Sequence, residues 1–267
     1  MTNIKKALDG NRRLEGRRLV YYHKTADKNY WEDIWTPYAT AEYYKPFRSG
    51  KLFTFEEIFI RHLPPNGRIL EAGCGTAQFV AALNVRKYNC LGVDFAFRAM
   101  QIANQFAGPL PLICGDITAL GIAENTLEAV ISLGVVEHSL SGPEPFLEEM
   151  CRILKPKGVM LISIPYFNPL RRWRAERGAY QDNIDGLDFY QYAFTFEEFT
   201  EFLMKAGFDV EKKYSYGHQN TLRQELHWLK KIPEFARKLI LRISKHIPYV
   251  NSEIGHMLMI VARKKAS

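Results

Sequence analysis

The chain lacks the long apolar segment that a membrane span needs. No hydrophobic run approaches the roughly 18 residues that such a span requires. The stretch from Lys5 to Arg18 is polar and basic, without the apolar core of a secretion signal. We therefore expect a cytoplasmic protein that is soluble or only peripherally associated with a membrane.

Cysteine is also scarce, and so is repetition. The four cysteines, Cys74, Cys90, Cys114 and Cys151, show none of the close pairing that marks metal sites. We expect them to be small buried side chains in a reducing compartment. No internal repeat or low-complexity segment is present, which argues against a solenoid or an extended linker.

Acidic residues are outnumbered at both ends of the chain but not in its middle. The net charge is +7, yet residues 69–170 carry six basic and nine acidic side chains. The basic excess therefore belongs to the flanks, where it could meet nucleic acid, anionic lipid or an acidic substrate. With 267 residues and 47% hydrophobic content, the chain can bury a full core as one domain.

The most informative segment that is present covers residues 69–79, with the sequence ILEAGCGTAQF. An apolar strand passes through Glu71 into a turn with Gly73 and Gly75, which can adopt positive φ and let a ligand approach the backbone. A helix that begins near Thr76 would point free N–H groups at the same space. This pattern predicts a nucleotide-sized binding site.

The turn does not fit a dinucleotide fingerprint. Such a fingerprint needs a third small residue three positions after the second glycine, and this chain has Gln78 there. Glu71 places a carboxylate at the strand end, where it would disfavour a pyrophosphate. We therefore expect a positively charged ligand rather than a phosphorylated one.

Two further predicted strands also finish in carboxylates. Residues 90–93 lead into Asp94, nineteen positions after Gly75, and residues 110–114 lead into Asp116. Open α/β sheets bind ligands at the carboxyl ends of their strands, and an acid at the position of Asp94 can accept both hydroxyls of a ribose.

These motifs resemble the class I S-adenosylmethionine-dependent methyltransferases, in particular the small-molecule group that includes the ubiquinone and menaquinone biosynthesis enzymes. The resemblance runs from about Ile69 to Phe208 and resumes at the final strand. Residues 127–133 look like the fourth strand, and they are followed by residues 134–138, GVVEH. Residues 146–158 are similar to the helix and turn before the fifth strand.

The resemblance implies S-adenosyl-L-methionine as the cofactor and assigns roles in its binding. Glu71 and the two glycines would hold the methionine part, Asp94 the ribose, and Asp116 would lie beside the adenine. The full set of expected cofactor contacts is Glu71, Ala72, Gly73, Cys74, Gly75, Asp94, Phe95, Asp116, Ile117 and Leu133.

The alternation of strand-like and helical runs predicts an α/β fold with a parallel, doubly wound sheet. The resemblance further implies a Rossmann-like sheet of seven strands with an antiparallel last strand. The resemblance implies that residues 1–60 form a helical N-terminal cover over the cofactor and substrate pocket, and the nine aromatic side chains of residues 21–47 would make that site apolar. Residues 61–217 and 251–267 would form the methyltransferase core. Residues 166–194 are long enough to suggest a binding loop.

Residues 218–250 form a basic, amphipathic helical insertion before the last strand, which Pro233 would split into two helices. At about 100° per residue, two sets of side chains should occupy opposite faces. The apolar set is Leu222, Leu226, Leu229, Ile232, Ala236, Leu239, Ile240, Ile243 and Ile247, and the basic set is Arg223, Lys230, Lys231, Arg237, Lys238, Arg242 and Lys245. Three interpretations stay open: a lid packed on the domain, a helix in a membrane interface, and a nucleic-acid contact.

Methyl transfer needs a base only when the acceptor must lose a proton, and His138 is the candidate general base. We expect no metal, because Gly134 stands where related O-methyltransferases have the first glutamate of a Glu-x-x-Glu-His site. We do not expect nucleic acid as a substrate, because residues 132–135 lack the Asn/Asp-Pro-Pro-aromatic motif of amino-methyltransferases.

The predicted function is therefore methyl transfer to a small-molecule or lipid-linked acceptor, with O-methylation favoured. The alternatives are a non-catalytic cofactor-binding or scaffold protein of the same fold, and a nicotinamide dehydrogenase. The sequence does not indicate the acceptor or the oligomeric state.

Overall fold

The structure is a computed structural model that describes residues 11–23, 30–31 and 34–266. Within those residues the strands are, in chain order, β1 (Asn11–Glu15), β2 (Arg18–His23), β3 (Arg68–Ala72), β4 (Asn89–Asp94), β5 (Leu112–Cys114), β6 (Leu127–Leu133), β7 (Leu154–Pro165), β8 (Asp188–Ala193), β9 (Phe208–Tyr216) and β10 (Met257–Lys264).

The α-helices of the described residues are α1 (Ala41–Arg48), α2 (Glu56–His62), α3 (Gln78–Val85), α4 (Phe97–Ala107), α5 (Glu144–Ile153), α6 (Pro169–Ala175), α7 (Phe196–Lys205), α8 (His218–Glu225), α9 (Glu234–Ser244) and α10 (Pro248–Glu253). Short 3₁₀ turns cover Thr36–Tyr38, Phe53–Phe55, Val136–His138 and His227–Lys230.

The central element is a seven-stranded sheet in the order β5-β4-β3-β6-β7-β10-β9. Strands β3 to β7 pair in parallel, whereas β10 is antiparallel to both of its neighbours, β7 and β9. The inner strands are apolar and buried because helices cover both faces of a parallel sheet. The predicted α/β fold with an antiparallel last strand is confirmed.

The strand order reverses at β3, which has β4 on one side and β6 on the other. The connections after β3 and β6 therefore leave the sheet in opposite directions and open a crevice at its carboxyl edge, which is where open α/β sheets bind ligands. The glycine turn follows β3, and residues 134–138 follow β6, so both predicted motifs meet at this crevice.

The prediction of a wholly helical N-terminal cover is wrong for residues 11–23, which form a hairpin of β1 and β2 around Gly16. β2 also pairs with β8 to make a second, three-stranded antiparallel sheet. The physical reason is the β-branched and aromatic run Leu19 to Tyr22, which favours a strand once a partner is present. That partner lies in residues 166–194, which form α6 and β8 instead of an irregular loop. Residues 1–10, 24–29 and 32–33 of the predicted cover lie outside the described residues.

The cysteine prediction is only half correct. Cys74 and Cys90 are buried, but Cys151 is only partly covered and Cys114 is exposed. Cys114 ends β5, a three-residue strand at the edge of the sheet whose side chains are only partly buried or exposed.

Helix α7 follows β8, and Thr195 caps it by accepting a hydrogen bond from the backbone N–H of Glu198 (3.1 Å). The Glu198 carboxylate contacts Arg18 (2.6 Å). Strand β2 is thereby tied to the start of α7.

The insertion does begin a new helix after Pro233, as predicted, but the prediction of one continuous apolar face is wrong. Leu222 and Leu229 are buried together with Leu241, whereas Leu239, Ile243 and Ile247 are exposed. The physical reason is that the 3₁₀ turn and Pro233 reorient the chain, so a 100° periodicity does not continue from α8 into α9. Within the described residues, no helix is both long and apolar enough to span a bilayer.

Candidate active site

The glycine turn is held rigidly against β4. The backbone N–H groups of Gly73 and Cys74 both donate to the carbonyl oxygen of Val93, at 2.8 and 3.0 Å. Gly73 and Gly75 have φ of +74° and +50°, a region that L side chains rarely adopt. A Cβ atom added to Gly73 would lie 2.5 Å from the side chain of Val135. The turns after β3 and β6 are therefore in contact, and the first requires glycine.

Glu71 is buried beneath this turn. Its Oε2 accepts a hydrogen bond from the backbone N–H of Val80 in the first turn of α3, at 3.1 Å. Burial, with a contribution from the nearby Asp94, raises the pKa of Glu71 to about 8. The Glu71 carboxyl group is buried and accepts a single hydrogen bond from the described residues, which offsets little of the cost of ionising it there. A positively charged ligand nearby would therefore stabilise its ionised form.

Asp94 lies at the end of β4, beside the turn. Its Oδ2 accepts from the N–H of Gly75 (2.7 Å), and its Oδ1 accepts from the N–H of Ala96 (2.8 Å). The side chain therefore fixes the second glycine in place. A carboxylate oxygen can accept more than one hydrogen bond, so Asp94 can buttress the turn and also accept from a ligand hydroxyl.

The remaining expected contacts lie along the same edge but differ in exposure. Asp116 is exposed beyond β5, and hydrogen bonds from the N–H and hydroxyl of Thr118 (2.8 and 2.7 Å) lower its pKa. Phe95 is 43% exposed after β4, whereas Ile117 and Leu133 are partly buried. Ala72 and Cys74 are buried.

The cover over the turn comes from the N-terminal segment. The ring of Trp35 lies 2.9 Å from the position that a Cβ atom on Gly75 would take. The hydroxyl of Tyr44 in α1 donates to the carbonyl oxygen of Thr76 at 2.9 Å, and Tyr44 itself is fully buried. These contacts place two aromatic side chains of the N-terminal segment over the turn.

His138 ends the 3₁₀ turn after β6. Its Nδ1 lies 2.8 Å from the carbonyl oxygen of Tyr190; because a carbonyl only accepts, Nδ1 carries the proton and Nε2 keeps its lone pair. The rings of Trp31 and Tyr190 lie 4.5 and 5.0 Å away. Burial lowers the pKa of His138 to about 4, so the imidazole is neutral in the physiological range.

Glu137 is a residue whose importance the sequence analysis missed. Its side chain is 2% exposed, its Oε2 has no hydrogen-bond partner among the described residues, and burial raises its pKa to about 8. A buried, unsatisfied polar atom is rare and suggests a binding or catalytic role. Its position just after β6, at the same edge as the other acids, was the sequence signal.

The structure accounts for the glycine at position 134. Gly134 has φ of +70°, and Glu137 Oε1 lies 3.3 Å from the position of a Cβ atom there. A glutamate at position 134 would therefore meet both backbone strain and crowding from Glu137. Across the part of the chain that the structure describes, no group of three or more His, Cys, Asp or Glu side chains could hold a metal ion.

The fold and the site agree with the resemblance that the sequence motifs suggested: a seven-stranded sheet with an antiparallel β10 carries an acidic two-glycine turn at its switch point. Residues 70–162 match the family model described as "Methyltransferase domain". The segment that runs from β3 into β7 is therefore similar to a methyltransferase domain.

Two curated relatives are methyltransferases. A demethylmenaquinone methyltransferase of Renibacterium salmoninarum is 30% identical over 111 residues, which cover 40% of this chain and 46% of the relative. A malonyl-[acyl-carrier protein] O-methyltransferase of Methylococcus capsulatus is 31% identical over 112 residues, covering 39% and 40%. The matches thus span less than half the length of either relative.

Among solved structures, the fold is similar to that in a complex between the Haloferax volcanii Trm112 methyltransferase activator and a methyltransferase. The TM-score is 0.59 at 18% identity, covering 88% of this chain and 98% of the other. This similarity shows the fold alone.

The family and the fold imply S-adenosyl-L-methionine as the cofactor, and the residues of the turn fit it. Gly73 and Gly75 adopt positive φ and let Val135 and Trp35 pack against the turn, Asp94 offers carboxylate oxygens beside it, and Glu71 is a buried acid that favours a neighbouring positive charge. When bound, this cofactor supplies a methyl group on a positively charged sulfur.

Proposed function

We propose that this protein is an S-adenosylmethionine-dependent methyltransferase that acts on a small-molecule or lipid-linked acceptor. The supporting observation is the convergence of Glu71, Gly73, Gly75 and Asp94 at the switch point, inside the segment that matches the methyltransferase domain. Glu71 would favour the positive charge of the ligand, and Asp94 would accept hydrogen bonds from its ribose. Asp116, Phe95 and Ile117 would border the adenine.

The acceptor would lie on the β6 side of the crevice, where His138 and Glu137 follow the strand. Val135, which contacts Gly73, links this side to the glycine turn. The aromatic rings of Trp31 and Tyr190 around His138 favour an apolar acceptor and exclude water. The chain's own contribution would be to position the acceptor atom and to keep the site dry.

We propose oxygen as the acceptor atom, with His138 taking its proton through Nε2. The proton already held on Nδ1 leaves the opposite nitrogen free to accept. A pKa of about 4 makes His138 a weak base, so it suits an acidic hydroxyl such as that of a phenol or quinol. The Oε2 of Glu137, unpartnered within the described residues, would hydrogen-bond the acceptor.

Cofactor binding is tested first, by calorimetry with S-adenosylmethionine, S-adenosylhomocysteine and NAD. We expect binding of the first two and none of NAD, since Gln78 replaces the small residue of the dinucleotide turn. Tight binding of NAD with no affinity for S-adenosylmethionine would overturn the proposal.

Catalysis is tested separately with radiolabelled S-adenosylmethionine and two acceptors that the relatives suggest, a demethylated menaquinone precursor and a malonyl thioester. Labelled product from either one supports an enzyme. Tight cofactor binding without product from a broad acceptor panel would favour the non-catalytic alternative.

The pH dependence of any activity found then identifies the base. With His138 as the base, the rate should be flat between pH 6 and 8, because its pKa is about 4. His138→Gln should lower the rate about 100-fold, within the range of general-base contributions. A rate that rises with a midpoint near pH 8 would instead assign the proton transfer to Glu137.

A further inference from the structure

The insertion leaves the sheet at the same edge as the site. Strand β9 ends at Tyr216 and β10 begins at Met257, and both residues lie in register beside Pro165 at the carboxyl end of β7. The Cε atom of Met257 lies 3.8 Å from the position of a Cβ atom on Gly134. The helices α8 to α10 are therefore attached at the rim of the crevice on its β6 and β7 side.

Helix α9 is anchored to the domain through one face. Leu241 is buried in a cluster with Leu222, Leu229 and Ile254. The side chain of Gln219 in α8 donates to the carbonyl oxygen of Leu241 at 3.1 Å, and Ser244 is buried beside it. This face of α9 is therefore packed against the rest of the insertion.

The opposite face of α9 is unusual because it is both apolar and cationic. Phe235, Leu239 and Ile243, spaced four residues apart, are 75%, 56% and 53% exposed. At about 100° per residue they form one stripe along the helix. A neighbouring stripe holds the exposed cations Lys238, Arg242 and Lys245. Other exposed apolar side chains precede and follow α9 in the insertion: Trp228, Ile247 and Tyr249.

We infer that this outward face of α9, defined by Phe235, Lys238, Leu239, Arg242, Ile243 and Lys245, docks on a lipid surface that contains anionic headgroups. Side chains of this kind, apolar beside basic on one exposed helix, insert into the interface of a bilayer while the cations meet the headgroups. Residues 226–250 contain six lysines and arginines and a single acidic residue, Glu234.

Charge and shape favour this occupant over two others. A second copy of the chain would bring the same cations against each other, which opposes a symmetric contact. A nucleic acid would engage the cations but leave Phe235, Leu239 and Ile243 in water. An anionic bilayer would bury the apolar stripe in its interface and bring its headgroups to the cationic stripe.

Docking itself does not depend on the proposed function. If that function holds, docking explains how a lipid-linked acceptor reaches the site, because α9 is attached at the rim of the crevice. The protein would then take its acceptor from the membrane surface rather than from solution.

The test is co-sedimentation of the full chain, without cofactor, with two kinds of vesicle: phosphatidylcholine alone, and phosphatidylcholine mixed with phosphatidylglycerol. We expect binding to the mixed vesicles that weakens with salt, and little binding to phosphatidylcholine alone. The variant Phe235→Ser/Leu239→Ser/Ile243→Ser should reduce the bound fraction about tenfold or more, because its apolar stripe is gone.

A matched control removes three similarly exposed apolar side chains elsewhere, as Ile60→Ser/Val85→Ser/Met204→Ser, and it should bind like the unaltered chain. Both variants should keep their melting temperatures and S-adenosylmethionine affinities, which are measured separately. Three results would each overturn docking: no sedimentation at low salt, equal loss in both triple variants, or concentration-dependent dimers that the α9 variant abolishes. None of these results would change the cofactor affinity on which the proposed function depends.

Discussion

Two carboxyl groups, Glu71 and Glu137, are buried at the carboxyl edge of the sheet with pKa values raised to about 8. Carboxyl groups are seldom buried with few hydrogen bonds and no ion pair, and those that are often belong to a binding or catalytic site. The first lies under the glycine turn, and the second has an oxygen without a partner among the described residues. Together they mark the two halves of the crevice.

The state of Glu71 predicts that cofactor binding releases a proton. At pH 7 the free carboxyl group is mostly protonated, and a positive ligand should draw it into the ionised form. Affinity should therefore rise with pH up to about 8 and then level off. Calorimetry in buffers of different ionisation enthalpy should show the proton, and Glu71→Gln should abolish the proton release and weaken binding about tenfold, or about 1.4 kcal/mol.

The control for this prediction is Glu128→Gln, because Lys155 and Arg68 keep the pKa of Glu128 low against the opposing effect of burial. That variant should retain the proton release of the unaltered chain. A binding enthalpy that is independent of the buffer in the unaltered protein would contradict the role of Glu71.

Gly75 provides a second prediction at the residue scale. Alanine there must accept a φ of +50° and meet the ring of Trp35 at 2.9 Å. Gly75→Ala should therefore lose about 1 kcal/mol of stability or more and weaken cofactor binding. Gly186→Ala is the matched control, since it has φ of +69° and open space; it should lose stability through strain alone. Equal cofactor affinity in both variants would show that the turn does not touch the ligand.

At the scale of elements, one buried carboxylate joins three parts of the chain. Glu225 at the end of α8 contacts Arg12 of β1 (2.7 Å), and it also contacts Arg171 and Arg174 of α6 (3.1 and 2.8 Å). Tyr180 donates to the same carboxylate at 2.7 Å. Although burial opposes ionisation, Arg12 and Arg171 hold the pKa of Glu225 below its usual value. The hairpin, α6 and the insertion are thus fastened together.

Loss of that carboxylate should be costly. Glu225→Gln would leave the fully buried Arg171 without its counter-ion, and breaking a buried ion pair typically costs about 3–5 kcal/mol. Denaturant unfolding should show this loss. The surface pair of Arg17 with Glu201 gives the control, because both side chains are more than half exposed; Glu201→Gln should unfold at the same denaturant concentration as the unaltered chain.

For the whole molecule, the two raised carboxyl pKa values predict how stability depends on pH. Between pH 4.5 and about 8 the folded state holds protons on Glu71 and Glu137 that the unfolded state has released, so they make stability fall as pH rises. Histidines with lowered pKa, such as His138 and His256, make stability rise with pH, but only below about pH 6.5. The melting temperature should therefore decrease from pH 6.5 to 8.

Scanning calorimetry at constant ionic strength checks this prediction. The double variant Glu71→Gln/Glu137→Gln should flatten the slope between pH 6.5 and 8. Glu149→Gln should keep it, since Arg152 lowers the pKa of Glu149 out of that range. A melting temperature that rises from pH 6.5 to 8 in the unaltered protein would contradict the raised pKa values of Glu71 and Glu137 in the folded state.

The local patterns of the sequence determined the central sheet and the glycine turn. Apolar strands that end in Glu71, Asp94 and Asp116 can pair in parallel only with their carboxyl ends at one edge, so their convergence follows from strand order. The glycines at 73 and 75 specify the turn because positive φ is a property of single residues. Pro233 likewise started a new helix at a predictable place.

Features that depend on residues far apart in the sequence were decided only by the tertiary structure. Residues 18–23 became a strand because β8, more than 160 positions away, offers them an edge, and residues 11–15 pair with that strand in turn. The acidity of Glu137 and the neutrality of His138 depend on the layers that bury them. The two faces of α9 were separated by the packing of Leu241. Burial and long-range pairing are properties of the folded chain, so no local pattern could have predicted them.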